Sequence, residues 1–190
     1  MTQLRLDLLG DFQMRSQTGA LITLSAKKSL ALLAFLAMKP DQRVSRDKMA
    51  GLLWSSTGPE QARQSLRQTL SNLRKELSQI SSDQKILIEE GDLLGLEPSL
   101  VEADVARFEH LVATGTDAAL SEATLLYRGD LLDGFQLNED RFDQWVLAER
   151  DRLHRMALRA HAHLMEQQTR AGDVDAAVAT AQRSLRIDPL

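Results

Sequence analysis

An α+β domain followed by an all-helical one is what this 190-residue sequence predicts, on three observations. Alternating apolar residues open the chain and return near residue 90, with three helical stretches between them. From about residue 101 onward the apolar spacing is helical throughout. The charge divides as well. Ser25 to Lys75 holds ten basic side chains against three acidic, a surplus of +7, while Val101 to Leu190 holds ten against sixteen, and no lysine follows Lys85. Opposite signs in two halves of a chain whose net charge is only −4 point to two units with different partners, the first partner polyanionic.

Each element has its own signal. Leu4, Leu6 and Leu8 alternate with Arg5 and Asp7, and Phe12 and Met14 resume the alternation after a Gly10–Asp11 turn, as strands do. Thr18–Gly19 introduces a short strand over Ala20 to Leu24. The first helix is expected from about Ala26 to Met38, with Leu30, Leu33, Ala34 and Ala37 on one face and Pro40 ending it. Ser45 is a candidate N-cap for a shorter helix carrying Met49, Leu52 and Leu53 and closing near Trp54. Thr57-Gly-Pro-Glu60 has the form of a capping box, with Pro59 in the first turn where its missing N–H costs nothing. The helix it starts runs to about Leu77. Lys85 to Leu96 then reads as two short strands around Gly91–Asp92, a hairpin signal. Strands, three helices and a closing hairpin within about 100 residues is the order of a winged helix, expected here over 1–97.

The second half, 101–190, reads as an all-α unit. Asp104 is expected to cap a helix with Val105, Phe108, Leu111 and Val112 inward, and Thr116 a further one ending near Tyr127. A longer helix is expected from Asp140 to Ala171, with Phe142, Val146, Leu153, Ala157, Ala160 and Leu164 at helical spacing. Gly172–Asp173 breaks it before a last helix to Ile187 and Pro189. Leu164, Gly172, Ala177 and Pro189 fall where a 34-residue tetratricopeptide repeat places them, so the domain reads as tetratricopeptide-like. Such folds need about three repeats to bury their faces, so the chain is expected to be truncated at a repeat boundary of a longer protein, with Val178, Ala181 and Leu185 uncovered, and either to self-associate through its C-terminal helices or to fray there.

Composition excludes much. Hydrophobic residues at 43% and charged residues at 26% are those of an ordinary globular protein. With no cysteine, a disulfide scaffold, a thiolate metal site and a cysteine nucleophile are excluded, and a reducing, cytoplasmic setting is expected. No apolar run approaches the roughly 20 residues of a membrane helix. His161 and His163 are two apart on a helix and point to different sides, so they form no chelating pair; with His110 and His154 they read as surface histidines. No phosphate-binding loop, dinucleotide fingerprint or nucleophile elbow is present. Asp130/Asp133 and Glu139/Asp140 read as caps and solvated turns, and Trp54 and Trp145 as core. No active site, metal site or cofactor site is expected.

The helix from Glu60 to Leu77 carries the main functional signal. Ala62, Leu66, Leu70, Leu73 and Leu77 form one apolar stripe; opposite it Gln61, Gln64, Gln68 and Asn72 form an amide stripe, extended by Ser65, Ser71 and Lys75. Arg63, Arg67 and Arg74 line one flank. Asn and Gln can pair bidentately with adenine N6 and N7, while flanking Arg and Lys neutralise phosphates, so this is major-groove chemistry.

Here the chain also resembles a known family. LRLDLLGDFQM, then SLALLAFLAMKPDQRVSRDKMAGLLW and PEQARQSLRQTLSNLRKEL, are similar to the OmpR/PhoB-type winged helix of the SARP-like bacterial regulators. ADVARFEHL, YRGDLLDGF and FDQWVLAERDRLHRMA are similar to the bacterial transcriptional activation domain that follows it. The resemblance implies that Glu60–Leu77 is the recognition helix, with Gln64, Gln68 and Asn72 facing bases and Arg67, Thr69 and Arg74 contacting phosphates. Arg63 and Lys75 join the phosphate set from their place on the helix. The family implies an activator that binds direct repeats of double-stranded DNA and recruits RNA polymerase holoenzyme. One departure stands out: family wings carry a Gly-Tyr or Gly-Tyr-Arg pair, whereas this tip reads Glu89-Glu90-Gly91-Asp92, three acids that would repel phosphate. Two other readings stay open at this level. One is a protein-interaction module whose winged helix has lost DNA affinity; the other is the regulatory front of a larger ATPase or cyclase.

Overall fold

The computed structural model describes residues 4–39, 42–80 and 84–188; the proposed stops at Pro40 and Pro189 lie outside them. Strands β1 (Leu4–Asp7), β2 (Gln13–Ser16) and β3 (Leu21–Ile22) open the chain. Helix α1 (Lys27–Ala37), strand β4 (Val44–Ser45), helix α2 (Arg46–Leu53) and helix α3 (Pro59–Ser78) follow. The hairpin β5 (Leu87–Glu90) and β6 (Leu93–Leu96) turns at Gly91, whose φ of +58° suits a residue without Cβ. Strand β7 (Val101–Ala103) leads into α4 (Asp104–Thr114), α5 (Asp117–Leu126), α6 (Asp140–Arg170) and α7 (Val174–Ile187). The order of elements is that of a winged helix followed by a helical domain, as the sequence predicts.

Two strands were not legible. β7 pairs parallel with β1, Leu4 opposite Val101, and completes a sheet of order β3-β2-β1-β7. β4 adds to the hairpin, giving the order β4-β6-β5. Both are two or three residues long, too short for alternation to declare itself. The first helix also departs from expectation. Instead of one apolar face, Ala31 to Ala37 are all buried, because α1 packs against α2, α3, β6 and β7, and Phe35 against Trp145 of α6 at 4.8 Å. A helix apolar on every side belongs at the centre of a fold.

The expected caps divide. Ser45 accepts from the backbone N–H of Lys48 and Thr116 from that of Ala119, as expected; Asp173, read only as part of a helix break, also caps by accepting from Ala176. The capping box does not form: Gly58 is the N-cap of α3, and the Thr57 hydroxyl donates back to the Trp54 carbonyl. Pro59 still sits in the first turn. Nor does Asp104 cap α4. Its buried carboxylate crosses to the N-terminal sheet and accepts from the N–H groups of Leu8, at 2.8 Å, and Leu9, at 3.0 Å.

One hydrophobic core therefore runs from Leu4 through to Ala157 without a break at the domain junction. Around it the backbones of the two units are stitched together. Leu132 N–H donates to Leu8 O, Gly10 N–H to Asp130 O and Asp133 N–H to Gly10 O. The approach requires glycine on both sides. Gly10 has φ +100°, and a Cβ on Gly129 would lie 3.3 Å from the Gly10 Cα. The Tyr127–Phe135 motif thus serves as the seam, and Arg150 holds it by donating to the carbonyls of Leu131 and Leu132.

Glu139, read with Asp140 as a helix cap or solvated turn, does stand at the N-cap position of α6, but it is buried in the same junction. Lys28 Nζ lies 2.6 Å from its Oε1, and Ser55 and Ser56 donate to Oε2. Burial opposes its ionisation, but the Lys28 ammonium and the two serines outweigh that and hold the carboxyl below its usual range. Trp54 and Trp145 are half-buried against the core, with Lys28 over the Trp54 ring.

Candidate nucleic-acid interface

Helix α3 is amphipathic, and its buried residues are the five of the apolar stripe: Ala62, Leu66, Leu70, Leu73 and Leu77. That stripe is held by α2 and α1, which fixes the opposite face toward solvent. Gln61, Gln64, Arg67, Gln68, Arg74 and Lys75 are exposed there, and Thr69, Ser71 and Asn72 are half-exposed. Gln61, Gln64, Ser65, Arg67 and Gln68 line a shallow hollow of about 500 Å³ along the first half of the helix. A sequence at helical spacing therefore delivers a row of amides with cations beside it.

The amides are partly organised. Gln68 Nε2 donates to Asn72 Oδ1 at 3.1 Å, one helical turn on. This bond uses one amide donor and one acceptor, leaving Gln68 Oε1 and the Asn72 amide N–H groups for an external edge. Gln64, one turn back, carries a complete amide.

The cations differ in what they already hold. Arg63 donates through Nε and Nη2 to both oxygens of Asp47, at 2.7 and 3.0 Å, and through Nη1 to Glu60 at 2.6 Å. The guanidinium holds the Asp47 carboxyl below its ordinary range and ties α2 to the start of α3. Arg74 Nε donates to the Leu70 carbonyl and lies 3.3 Å from Glu89 Oε1. Arg67 and Lys75 extend into solvent, and no ion pair engages either among the described residues.

The wing is less acidic than its sequence. Glu89, read as repelling phosphate, is clasped by Arg46 at 2.5 Å on one oxygen and by Arg74 on the other. Arg46 also donates to the Gly91 carbonyl at the tip. Sequence reasoning missed Arg46, whose only signal was its place directly after the Ser45 N-cap, at the first position of α2. Glu90 and Asp92 remain exposed.

His161, expected at the surface, is wholly buried, its Nδ1 2.9 Å from the Ala157 carbonyl. Among the described residues no group of three or more metal-ligating side chains comes together, and no helix is long and apolar enough to cross a membrane.

Three helices closed by a hairpin, the third baring amides and cations, make a winged helix, and it is fused to a helical domain. Residues 19–91 match the family of C-terminal domains of transcriptional regulatory proteins, and residues 103–190 match the bacterial transcriptional activator domain. A solved structure of Mycobacterium tuberculosis EmbR, in complex with a low-affinity phosphopeptide, is similar over 97% of this chain, with 26% identity and a TM-score of 0.76. This chain spans half the length of that one. No curated protein sequence matches it. Together the two family matches give the chain the domain order of the SARP-like bacterial transcriptional regulators, an OmpR/PhoB-type winged helix joined to a bacterial transcriptional activator domain. Both matched families are regulator domains and not enzymes.

Proposed function

We propose that this protein is a sequence-specific DNA-binding transcription activator that lays α3 in the major groove. The observation that carries the reading is the row of exposed Gln64 and Gln68 and half-exposed Asn72 on the face of α3 away from its buried stripe. In this reading those three amides meet base edges, and Arg67, Thr69, Arg74 and Lys75 meet phosphates on either side. Arg63 is spent on Asp47 and Glu60, so it contributes least of the five.

The winged helix, assigned to 1–97, supplies DNA recognition; the helical domain, 101–190, supplies the contact with RNA polymerase holoenzyme, acting in the cytoplasm. Binding to direct repeats places two copies head to tail. The exposed apolar residues Val174, Val178 and Leu185 on α7 offer a surface for self-association. Selection of bound DNA from a random pool, followed by competition against unrelated duplex, tests the reading. Enrichment of one motif is expected. A pool that returns no motif, or a motif no better bound than unrelated duplex, overturns it.

A further inference from the structure

The helical domain contains an open cleft of about 410 Å³ that DNA recognition does not use, bordered by α5, α6, α7 and the Tyr127–Asp130 turn. A volume of this order matches small-molecule sites. His161 forms its buried wall. The ring sits on its own helix with Nδ1 against the Ala157 carbonyl, and a carbonyl only accepts, so Nδ1 must carry the proton. Nε2 is then a bare acceptor lone pair, buried and without a partner among the described residues. Burial keeps the ring neutral, with the nearby Arg183 cation acting in the same direction.

Across the cleft, α7 presents two guanidiniums. Arg183 donates through Nη2 to Thr180, while its buried Nε has no partner. Neither Arg183 nor Arg186 forms an ion pair among the described residues, although most arginines of this chain do. Of the acids near the cleft, Asp130 accepts from the Tyr127 hydroxyl and lies 4.0 Å from His154, and Asp188 lies 3.9 Å from the other nitrogen of that imidazole; neither pairs with Arg183 or Arg186. The cleft thus has a cationic side on α7 and, in its wall, a buried acceptor at His161 Nε2 that no described residue meets.

We propose that this cleft binds a small hydroxylated anion, its phosphate or carboxylate on Arg183 and Arg186 and its hydroxyl donating to His161 Nε2. An anion alone would leave Nε2 unmet, and a neutral alcohol would leave the guanidiniums unmet, so the two halves specify one bifunctional ligand. Such a site makes the activator domain a sensor of a small metabolite as well as a contact surface.

The test is a titration of the full chain, followed by the 15N resonance of His161 Nε2 and by calorimetry. The probes are glycerol 3-phosphate and glycerate, with inorganic phosphate and glycerol as single-ended controls. One of the two-ended probes is expected to move the Nε2 resonance and to bind more tightly than either control; which one does so distinguishes phosphate from carboxylate. R186A and R183K, chosen because R183A also removes a bond to Thr180, are expected to weaken that probe by about tenfold or more, the usual worth of a hydrogen bond between charged groups. The proposal is overturned if no two-ended probe moves Nε2, if inorganic phosphate binds as tightly as the two-ended probes, or if both variants bind unchanged.

Discussion

At the scale of single residues, the interface depends on which side chains are still available to DNA. Arg67 is exposed and unengaged by any ion pair among the described residues, whereas Arg63 already donates three times to protein carboxylates. Arg67→Ala is therefore expected to weaken all duplexes alike and to lower the slope of log affinity against log salt by about 1, while Arg63→Ala changes that slope less. Mobility shifts across a salt series read both, and equal slopes for Arg67→Ala and the parent would place Arg67 away from phosphate. The amides should behave differently. Gln68→Ala or Asn72→Ala is expected to cost about 1–3 kcal/mol on the selected site and much less on random duplex, since base contacts carry sequence information and phosphate contacts do not. Each also breaks the Gln68–Asn72 bond, so the double variant should lose less than the sum of the two, which a double-mutant cycle measures.

At the scale of elements, the junction of α1, α2 and α6 rests on one buried carboxylate. Glu139 ionises more readily in the folded chain than in the unfolded one, so its contribution is present above the ordinary value of 4.5 and is lost as pH falls through its lower folded value. Glu139→Gln is expected to reduce stability by about 1–3 kcal/mol at neutral pH, the range for hydrogen bonds to charged groups, and to flatten the loss in acid. Urea unfolding at neutral and acid pH checks both halves; a variant that keeps the parent's acid slope would show that another group titrates there. This junction also marks where sequence reading stops. The five buried positions of α3 and the six buried apolar ones of α6 were legible because a periodic stripe is a local signal. Asp104, Glu139 and His161 were misread because a lone polar residue looks the same in a cap, on a surface or in a core. Their partners are Leu8 for Asp104 and Lys28 for Glu139, and His161 is buried by packing between helices, none of which spacing can reveal.

At the scale of the whole molecule, the two units share a core, so they are expected to unfold together. A single transition by intrinsic tryptophan fluorescence and by far-ultraviolet circular dichroism should appear, since Trp54 and Trp145 lie on either side of the junction. The exception is α7, where Val174, Val178 and Leu185 are 66%, 50% and 52% exposed and Ala181 is half-buried. Sedimentation velocity is expected to show concentration-dependent association that the pair Val178→Lys and Leu185→Glu abolishes; a chain monomeric at all concentrations would exclude this face as the contact. The pairing of β1 with β7 has a different consequence, one of timing. Asp104, which anchors the far end of the first strand, is synthesised 96 residues after Leu8. At roughly 5–20 residues per second, translation leaves Leu4–Asp7 with one open edge for about 5–20 seconds. Until the ribosome delivers the start of the helical domain, the winged-helix half lacks the strand that completes its sheet, and a chain released early would expose that edge to other nascent strands.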